Sequence, residues 1–161
     1  MADERREEHR WLERFVGEWT FEMEADGPPG EPKHVERGRE RVRSLRGVWI
    51  VCEATSETPD GGGSTESVMT LGYDPAKGRV VGTFVGSMMP NLWLYDGELD
   101  AAANLLTLDS EGPSFTTEGE TGKYRDTIEL KSDDHRVMTS SYQGEDGSWT
   151  QFMTAHYRRA K

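Results

Sequence analysis

Residues 17–24 read Gly-Glu-Trp-Thr-Phe-Glu-Met-Glu, and their apolar side chains recur at every second position. Trp19, Phe21 and Met23 alternate with polar residues, which is the period of a β-strand that buries one face. The pattern predicts a strand whose large side chains point toward a core. The segments before and after this strand indicate the fold class to which it belongs.

A short amphipathic segment precedes this strand. Its apolar side chains fall on one helical stripe, and they are Trp11, Leu12, Phe15 and Val16. This spacing predicts a helix, since residues three and four apart share a helix face. We predict a helix over residues 3–16 that caps one end of the fold.

After residue 24, strand-like segments recur at short intervals and are separated by turn-forming sequences. The further predicted strands span residues 33–46, 48–57, 65–73, 79–87, 91–98, 104–109, 122–131, 135–143 and 148–159. No helix-length periodic segment separates them, which excludes a parallel βαβ arrangement. About ten hairpin-linked strands favour an all-β fold, a closed antiparallel up-and-down β-barrel, because closure removes the free sheet edges. We expect one domain over residues 1–161, with room inside for side chains and one small ligand.

The charge of the chain limits its partners. Lys and Arg number 19 and Asp and Glu number 30, so the net charge is −11. An acidic protein repels nucleic-acid phosphates and anionic lipid headgroups, so we expect neither nucleic acid nor a membrane as partner. The N-terminal residues lack an apolar signal region, and the single Cys52 has no disulfide partner within the chain. We therefore expect a cytoplasmic protein.

The second predicted strand carries an alternating basic stripe. The stripe consists of Arg37, Arg39, Arg41, Arg43 and Arg46, with Glu36 and Glu40 among their neighbours. The stripe predicts an outward strand face held by salt bridges.

Several motifs resemble known families. Gly17-Glu18-Trp19, after a short helix and at the start of the first strand, resembles the G-x-W element of lipocalin and calycin barrels. Four ordered segments are similar to the bacterial domain-of-unknown-function family 1579: residues 17–20 (Gly-Glu-Trp-Thr), 70–74 (Thr-Leu-Gly-Tyr-Asp), 97–99 (Gly-Glu-Leu) and 143–149 (Gln-Gly-Glu-Asp-Gly-Ser-Trp). The resemblance implies a lipocalin-like barrel and brings no established activity and no catalytic residues.

The same resemblance implies a structural role for Trp19. In lipocalin-like barrels this Trp plugs one end, and a basic side chain of the last strand stacks over it. Arg158 or Arg159 is placed to supply that group, and we take Arg158. Alternation then turns Phe152 and His156 toward the lumen, although the opposite face of the strand also carries aromatic side chains and its sidedness stays open.

Alternation and clustering supply the remaining lumen candidates. Tyr124 and Asp126 share a face with apolar residues, and Met88 and Trp93 belong to an apolar cluster at a strand junction. The full set of ligand-binding candidates is Trp19, Phe21, Met88, Trp93, Tyr124, Asp126, Phe152 and His156. An aromatic and Met-rich interior with a few polar groups suits a small, mostly apolar molecule. We expect a binding protein rather than an enzyme.

Two polar candidates leave other functions open. His156 could ligate heme or a metal ion, as a His on a late strand does in the nitrobindin-like calycins, although residues 17–23 lack two glycines of that branch. Asp126 and His156 could instead act as acid and base. The more usual role of an inward His or Asp is structural hydrogen bonding within the core. No histidine pair has zinc-ligand spacing, so we expect no metal and no other cofactor. A homodimer is compatible with the sequence, which does not set the oligomeric state.

Overall fold

The computed structural model describes residues 5–27, 30–58, 60–115 and 117–160. Within these ranges the elements are α1 (Glu7–Glu13), β1 (Gly17–Ala25), β2 (His34–Leu45), β3 (Trp49–Glu57), β4 (Ser64–Asp74), β5 (Arg79–Gly86), β6 (Met89–Asp100), β7 (Leu105–Pro113), β8 (Thr121–Ser132), β9 (His135–Gln143) and β10 (Trp149–Arg159). Each strand pairs antiparallel with its sequence neighbours, and β1 pairs with β10 to close a barrel. The predicted fold class is confirmed. No helix in the described ranges has the length and apolar character needed to cross a bilayer.

The helix is shorter than the predicted span of residues 3–16. It ends at Glu13, and residues 3 and 4 lie outside the described part of the chain. Phe15 N–H donates to the Leu12 carbonyl at 3.0 Å, which tightens the chain into a turn. Gly17 follows with a φ of +135°, a conformation that favours glycine. The chain thus leaves the helix early and enters β1 with Phe15 buried.

One end of the barrel is closed by a solid apolar core. Its most deeply buried side chains are Leu12, Phe15, Trp19, Ile50, Leu71, Val80, Leu106 and Leu108. Helix α1 covers this end: Trp11 Nε1 donates to Asn104 Oδ1 at 3.1 Å, and His9 Nε2 lies 3.0 Å from the Tyr73 carbonyl oxygen. These contacts anchor the helix to the end of β4 and to the turn between β6 and β7.

The other half of the barrel is open. Several inward-facing side chains there keep part of their surface accessible, namely Phe21, Met23, Ala54, Ser67, Phe84 and Met153. Their inward direction follows from strand alternation, since Phe21 and Met23 continue the face that begins with buried Trp19. Side chains that point inward and remain accessible must face open space. Solvent therefore reaches the inward face of the strands in this half.

Candidate functional site

Trp19 fills the closed end of the lumen. Its side chain is 1% exposed, and its indole Nε1 donates to the Phe15 carbonyl at 2.8 Å. The guanidinium of Arg159, the β10 register partner of Trp19, lies 4.3 Å from the ring centroid. The sequence-based choice of Arg158 as the stacking group is wrong, because Arg158 has the opposite parity and is exposed on the outer wall.

A second arginine reaches Trp19 from inside the barrel. Arg136 on β9 is 3% exposed, and its guanidinium lies 4.5 Å from the Trp19 ring and 4.1 Å from the Tyr157 ring. Its Nη2 donates to Glu40 on β2, which is 8% exposed. Strands β10 and β1 lie between the two partners, so the ion pair spans the lumen. The Glu40–Arg136 pair lies between the closed end and the open half of the barrel, and we call it the floor of the lumen.

Burial and the neighbouring ion pair both act on Cys52 and Tyr157. Burial, and then the charge of Glu40, raise the pKa of Cys52 and of Tyr157 well above their ordinary values. A thiol with a raised pKa stays protonated and unreactive. Cys52 is therefore a core residue whose thiol stays protonated.

Asp126 is the central polar group of the lumen wall. Tyr95 Oη donates to its Oδ2 at 2.6 Å, and Ser140 Oγ donates to its Oδ1 at 2.6 Å. Its register partner Leu108 is fully buried, and Asp126 shares its parity on β8 with buried Tyr124 and Ile128, so the carboxyl faces the interior of the barrel. Burial raises the pKa of Asp126, although the two hydrogen bonds lower it in part.

Asp126→Asn should flatten the pH dependence of stability. A raised folded-state pKa means that the folded protein binds the carboxyl proton more tightly than the unfolded chain does. The protonated Asp126 carboxyl therefore stabilises the folded protein at low pH. This contribution is lost as pH rises from about 3.8 through the folded-state pKa. Urea titrations across that range should show a smaller fall in unfolding free energy for the variant.

Asp146→Asn is the control for that measurement. Hydrogen bonds from Ser148 lower the pKa of Asp146, so its contribution is lost as pH falls. Asp146→Asn should therefore change the slope of unfolding free energy against pH in the direction opposite to Asp126→Asn. If Asp126→Asn leaves the pH dependence of the unfolding free energy unchanged, the Asp126 carboxyl is not a buried group with a raised pKa.

Aromatic rings line the open end. Trp93 and Tyr124 face inward, with ring centroids 5.1 Å apart, and the Tyr124 hydroxyl donates to the Pro113 carbonyl at 2.5 Å. Phe115 lies 5.0 Å from Tyr124 and 5.3 Å from Phe152, by ring centroids. Trp93 and Tyr124 are buried, whereas Phe115 is exposed at the rim.

Two of the sequence candidates lie at the rim rather than on the lumen wall. Met88 is in the β5–β6 turn, 49% exposed, with its sulfur over the Cα of Gly86. Phe152 is half-buried at a bulge between Gln151 and Met153. Both can contact a molecule at the mouth, and neither reaches the floor.

His156 does not face the lumen, which corrects its assignment as a lumen candidate. It is exposed on the outer wall, where its Nδ1 lies 3.1 Å from Nε2 of His135. The barrel wall separates it from Asp126, so the two cannot act on one substrate as acid and base. For the same reason His156 cannot ligate heme or a metal held inside. Among the described residues, no three His, Cys, Asp or Glu side chains are grouped to hold a metal ion.

Sequence reasoning missed three groups of the lumen: Glu40, Arg136 and Tyr95. A usable signal existed for Tyr95, which shares its parity with Trp93 on β6. Arg136 likewise shares its parity with buried Met138.

A family model described as protein of unknown function (DUF1579) matches residues 4–159. The chain belongs to this family. The resemblance seen in the ordered sequence motifs is therefore confirmed. No curated protein matches the chain significantly.

Two solved structures share the barrel fold with this DUF1579 member. The S-type phycobiliprotein lyase CPES from Guillardia theta has a TM-score of 0.63 and 12% identity, and the match covers 98% of this chain and 94% of the lyase. Rv2717c from M. tuberculosis has a TM-score of 0.64 and 10% identity, with 97% and 99% covered. At these identities the likeness shows the fold alone.

Proposed function

We propose that the barrel binds a small, mostly apolar molecule in the open half of its lumen, with one hydrogen-bond donor of that molecule directed at Asp126. The observation that carries the proposal is the position of Asp126, a hydrogen-bonded carboxyl that points into the barrel opposite buried Leu108. No catalytic residue and no cofactor are part of the proposal.

The apolar wall supplies the affinity. Phe21, Phe84, Met23 and Met153 all point inward and keep accessible surface that a ligand can cover. Covering apolar surface contributes about 25 cal/mol per Å². Methionine side chains adapt to different ligand shapes, so the pocket favours a class of molecules over a single shape.

The polar group supplies orientation. Each Asp126 oxygen accepts one protein hydrogen bond and retains further acceptor capacity, because a carboxylate has about four lone-pair sites. A ligand hydroxyl or N–H fits this acceptor. A ligand carboxylate does not, since like charges would face each other across the lumen.

The barrel fold and the single cysteine are compatible with the binding of a small ligand by this protein. The same architecture is used by a phycobiliprotein lyase, and a barrel of this size leaves space for one small ligand. The unpaired, buried Cys52 fits a reducing compartment, and we place the protein in the cytoplasm.

Ser67→Phe should block the pocket. Ser67 faces inward and pairs with Ala54 on β3, whose small side chain leaves the new ring room to extend into the lumen. A neutral fluorescent probe, N-phenyl-1-naphthylamine, should bind the wild type, and its dissociation constant should rise at least about tenfold in the variant, as for loss of about 1.4 kcal/mol.

Val68→Phe is the matched control. Val68 is the next residue on β4 and points to the outer wall, so the same ring is added outside the lumen. Its probe affinity should stay within about twofold of the wild type. Equal weakening by both variants, or a wild type that does not bind the probe, would overturn the proposal. If Ser67→Phe does not fold, Phe84→Ala and Val85→Ala provide the same inner and outer comparison.

A further inference from the structure

The hydroxyl group of Tyr157 is a polar group of the lumen that the protein itself leaves unpaired. Tyr157 lies on the inward face of β10 and is 9% exposed. The hydroxyls of two other buried tyrosines donate to protein oxygens, that of Tyr95 to Asp126 and that of Tyr124 to the Pro113 carbonyl. The Tyr157 hydroxyl has no such acceptor in the described part of the chain.

This hydroxyl is not sealed inside the core. Among the described residues, the fully enclosed side-chain atoms that lack a hydrogen-bond partner are Glu8 Oε2, Asn91 Nδ2 and Arg136 Nη1. The Tyr157 oxygen is unpaired but does not belong to this set, so it keeps accessible surface. Phe21, its register partner on β1, is also only half-buried. The Tyr157 hydroxyl therefore faces the internal space of the barrel, although the rest of the side chain is buried.

The Tyr157 ring is held by its register partners on both neighbouring strands. Phe21 of β1 lies 5.0 Å from it by ring centroids, and the Arg136 guanidinium of β9 lies 4.1 Å from its centroid. Arg136 is itself fixed by its ion pair with Glu40. The direction of the hydroxyl is thus set before a ligand enters, and a preorganised group loses little conformational freedom on binding.

Tyr157 and Asp126 present complementary hydrogen-bonding groups to the interior. Burial, and then the charge of Glu40, raise the pKa of Tyr157, and the charge of Asp126 acts in the same direction. The hydroxyl therefore stays protonated and can donate, whereas the Asp126 carboxylate can only accept. The effect of Asp126 on Tyr157 also indicates that the two groups lie within electrostatic range of each other.

We propose that Tyr157 donates a hydrogen bond to a carbonyl oxygen of the lumenal ligand, which is then a neutral carbonyl compound with an O–H or N–H group for Asp126. This inference rests on the proposed function and adds the chemical class of the ligand to it. A ligand without an acceptor would cover the hydroxyl and leave it unpaired, which weakens binding. A ligand carboxylate would enter without a counter-ion, because the arginine beside Tyr157 is already paired with Glu40.

Two neutral fluorescent probes test this inference. Prodan is a naphthyl ketone with a carbonyl acceptor and no donor, whereas N-phenyl-1-naphthylamine has an N–H donor and no carbonyl. Tyr157→Phe removes only the unpaired hydroxyl and keeps the ring between Phe21 and Arg136. The dissociation constant of prodan should rise at least about fivefold in this variant, which corresponds to about 1 kcal/mol. That of N-phenyl-1-naphthylamine should stay within about twofold.

Tyr73→Phe is the matched control. It makes the same chemical change at the closed end, where the Tyr73 ring packs against His9 of α1 with ring centroids 5.6 Å apart. The affinity for both probes should stay within about twofold. The emission of bound prodan gives a second readout, because it moves to longer wavelength when the carbonyl accepts a hydrogen bond. Wild type and Tyr73→Phe should therefore share one emission maximum, and Tyr157→Phe should emit at shorter wavelength.

Two results would overturn this inference and leave the proposed function in place. One is a prodan affinity and emission that Tyr157→Phe does not change, and the other is a wild type that binds N-phenyl-1-naphthylamine but not prodan. Equal weakening of both probes by Tyr157→Phe would also overturn it, since the hydroxyl would then act on the shape of the lumen. A wild type that binds neither probe would overturn the inference and the proposed function together.

Discussion

Glu40→Gln should destabilise the barrel by about 3–5 kcal/mol, because it leaves the Arg136 guanidinium buried without a compensating charge. The two side chains are only 8% and 4% exposed and meet across the lumen floor. Breaking one partner of such a pair costs far more than the pair contributes as a whole, since the remaining charge has lost both water and its counter-ion. Urea unfolding followed by tryptophan fluorescence measures the change.

Glu53→Gln is the control for this prediction. It makes the same chemical change and breaks a pair with Arg43 whose side chains are 52% and 54% exposed. An exposed pair contributes about 0–1 kcal/mol. If both variants lose the same stability, the Glu40–Arg136 pair is not desolvated in the way the structure shows.

The double variant Glu40→Leu with Arg136→Met separates charge from packing. It removes both charges and keeps similar volume, so it should recover most of the loss and can match or exceed wild-type stability. A double variant as unstable as Glu40→Gln alone would show that the arginine acts through its stacking. Its guanidinium lies 4.5 Å from the Trp19 ring, 4.1 Å from the Tyr157 ring and 5.0 Å from the Phe15 ring.

The fold could be predicted because it depends on a repeated local signal. Alternation within each strand and turn residues between strands are encoded in neighbouring positions, and ten hairpin-linked strands leave few topologies. The ends of elements were harder. Helix α1 stops at Glu13 because the following residues form a tight turn into Gly17, which the apolar spacing of the helix does not reveal.

The sequence could not predict which face of β10 points into the lumen, because a β-bulge reverses the alternation of side chains part-way along this strand. Trp149 stacks under Arg125 on the outer wall, whereas Ala155 and Tyr157 face inward, although all three have the same parity in the sequence. The bulge between Gln151 and Met153 lies between them. A bulge inserts one residue into the alternation and has no required residue type here. The errors at His156 and Arg158 follow from this strand.

The lumen ion pair was missed for a different reason. Glu40 lies in a strand with four alternating arginines, and this context predicts a solvated position for its carboxylate. Its parity matches that of buried Val42, which does indicate an inward position. Burial of a carboxylate is favourable only beside a partner, and Arg136 is 96 positions away in the sequence. Such a pairing depends on closure of the whole barrel.

Trp19→Ala should destabilise the protein by about 3–5 kcal/mol, the range for removing a buried aromatic ring. The indole is 1% exposed and its N–H bonds to the Phe15 carbonyl, so the change leaves both a cavity and an unpaired carbonyl. Trp149→Ala provides an unusually close control. Its ring also carries an arginine guanidinium at 4.3 Å, but lies half-buried on the outer wall. An exposed cation–π contact contributes only about 0.5–1 kcal/mol, so Trp149→Ala should remain much more stable than Trp19→Ala.

The comparison decides what the tryptophan of the closed end contributes. The guanidinium-to-ring distance is 4.3 Å for Arg159 over Trp19 and for Arg125 over Trp149, so the cation–π geometry is matched and burial differs. A large difference in urea midpoint assigns the role of Trp19 to filling the barrel end. Similar losses would assign it to the stacked arginine, and Arg159→Met should then reproduce the Trp19→Ala loss. We expect the first result, because Trp19 also contacts Arg136 from the lumen side and is enclosed on every face.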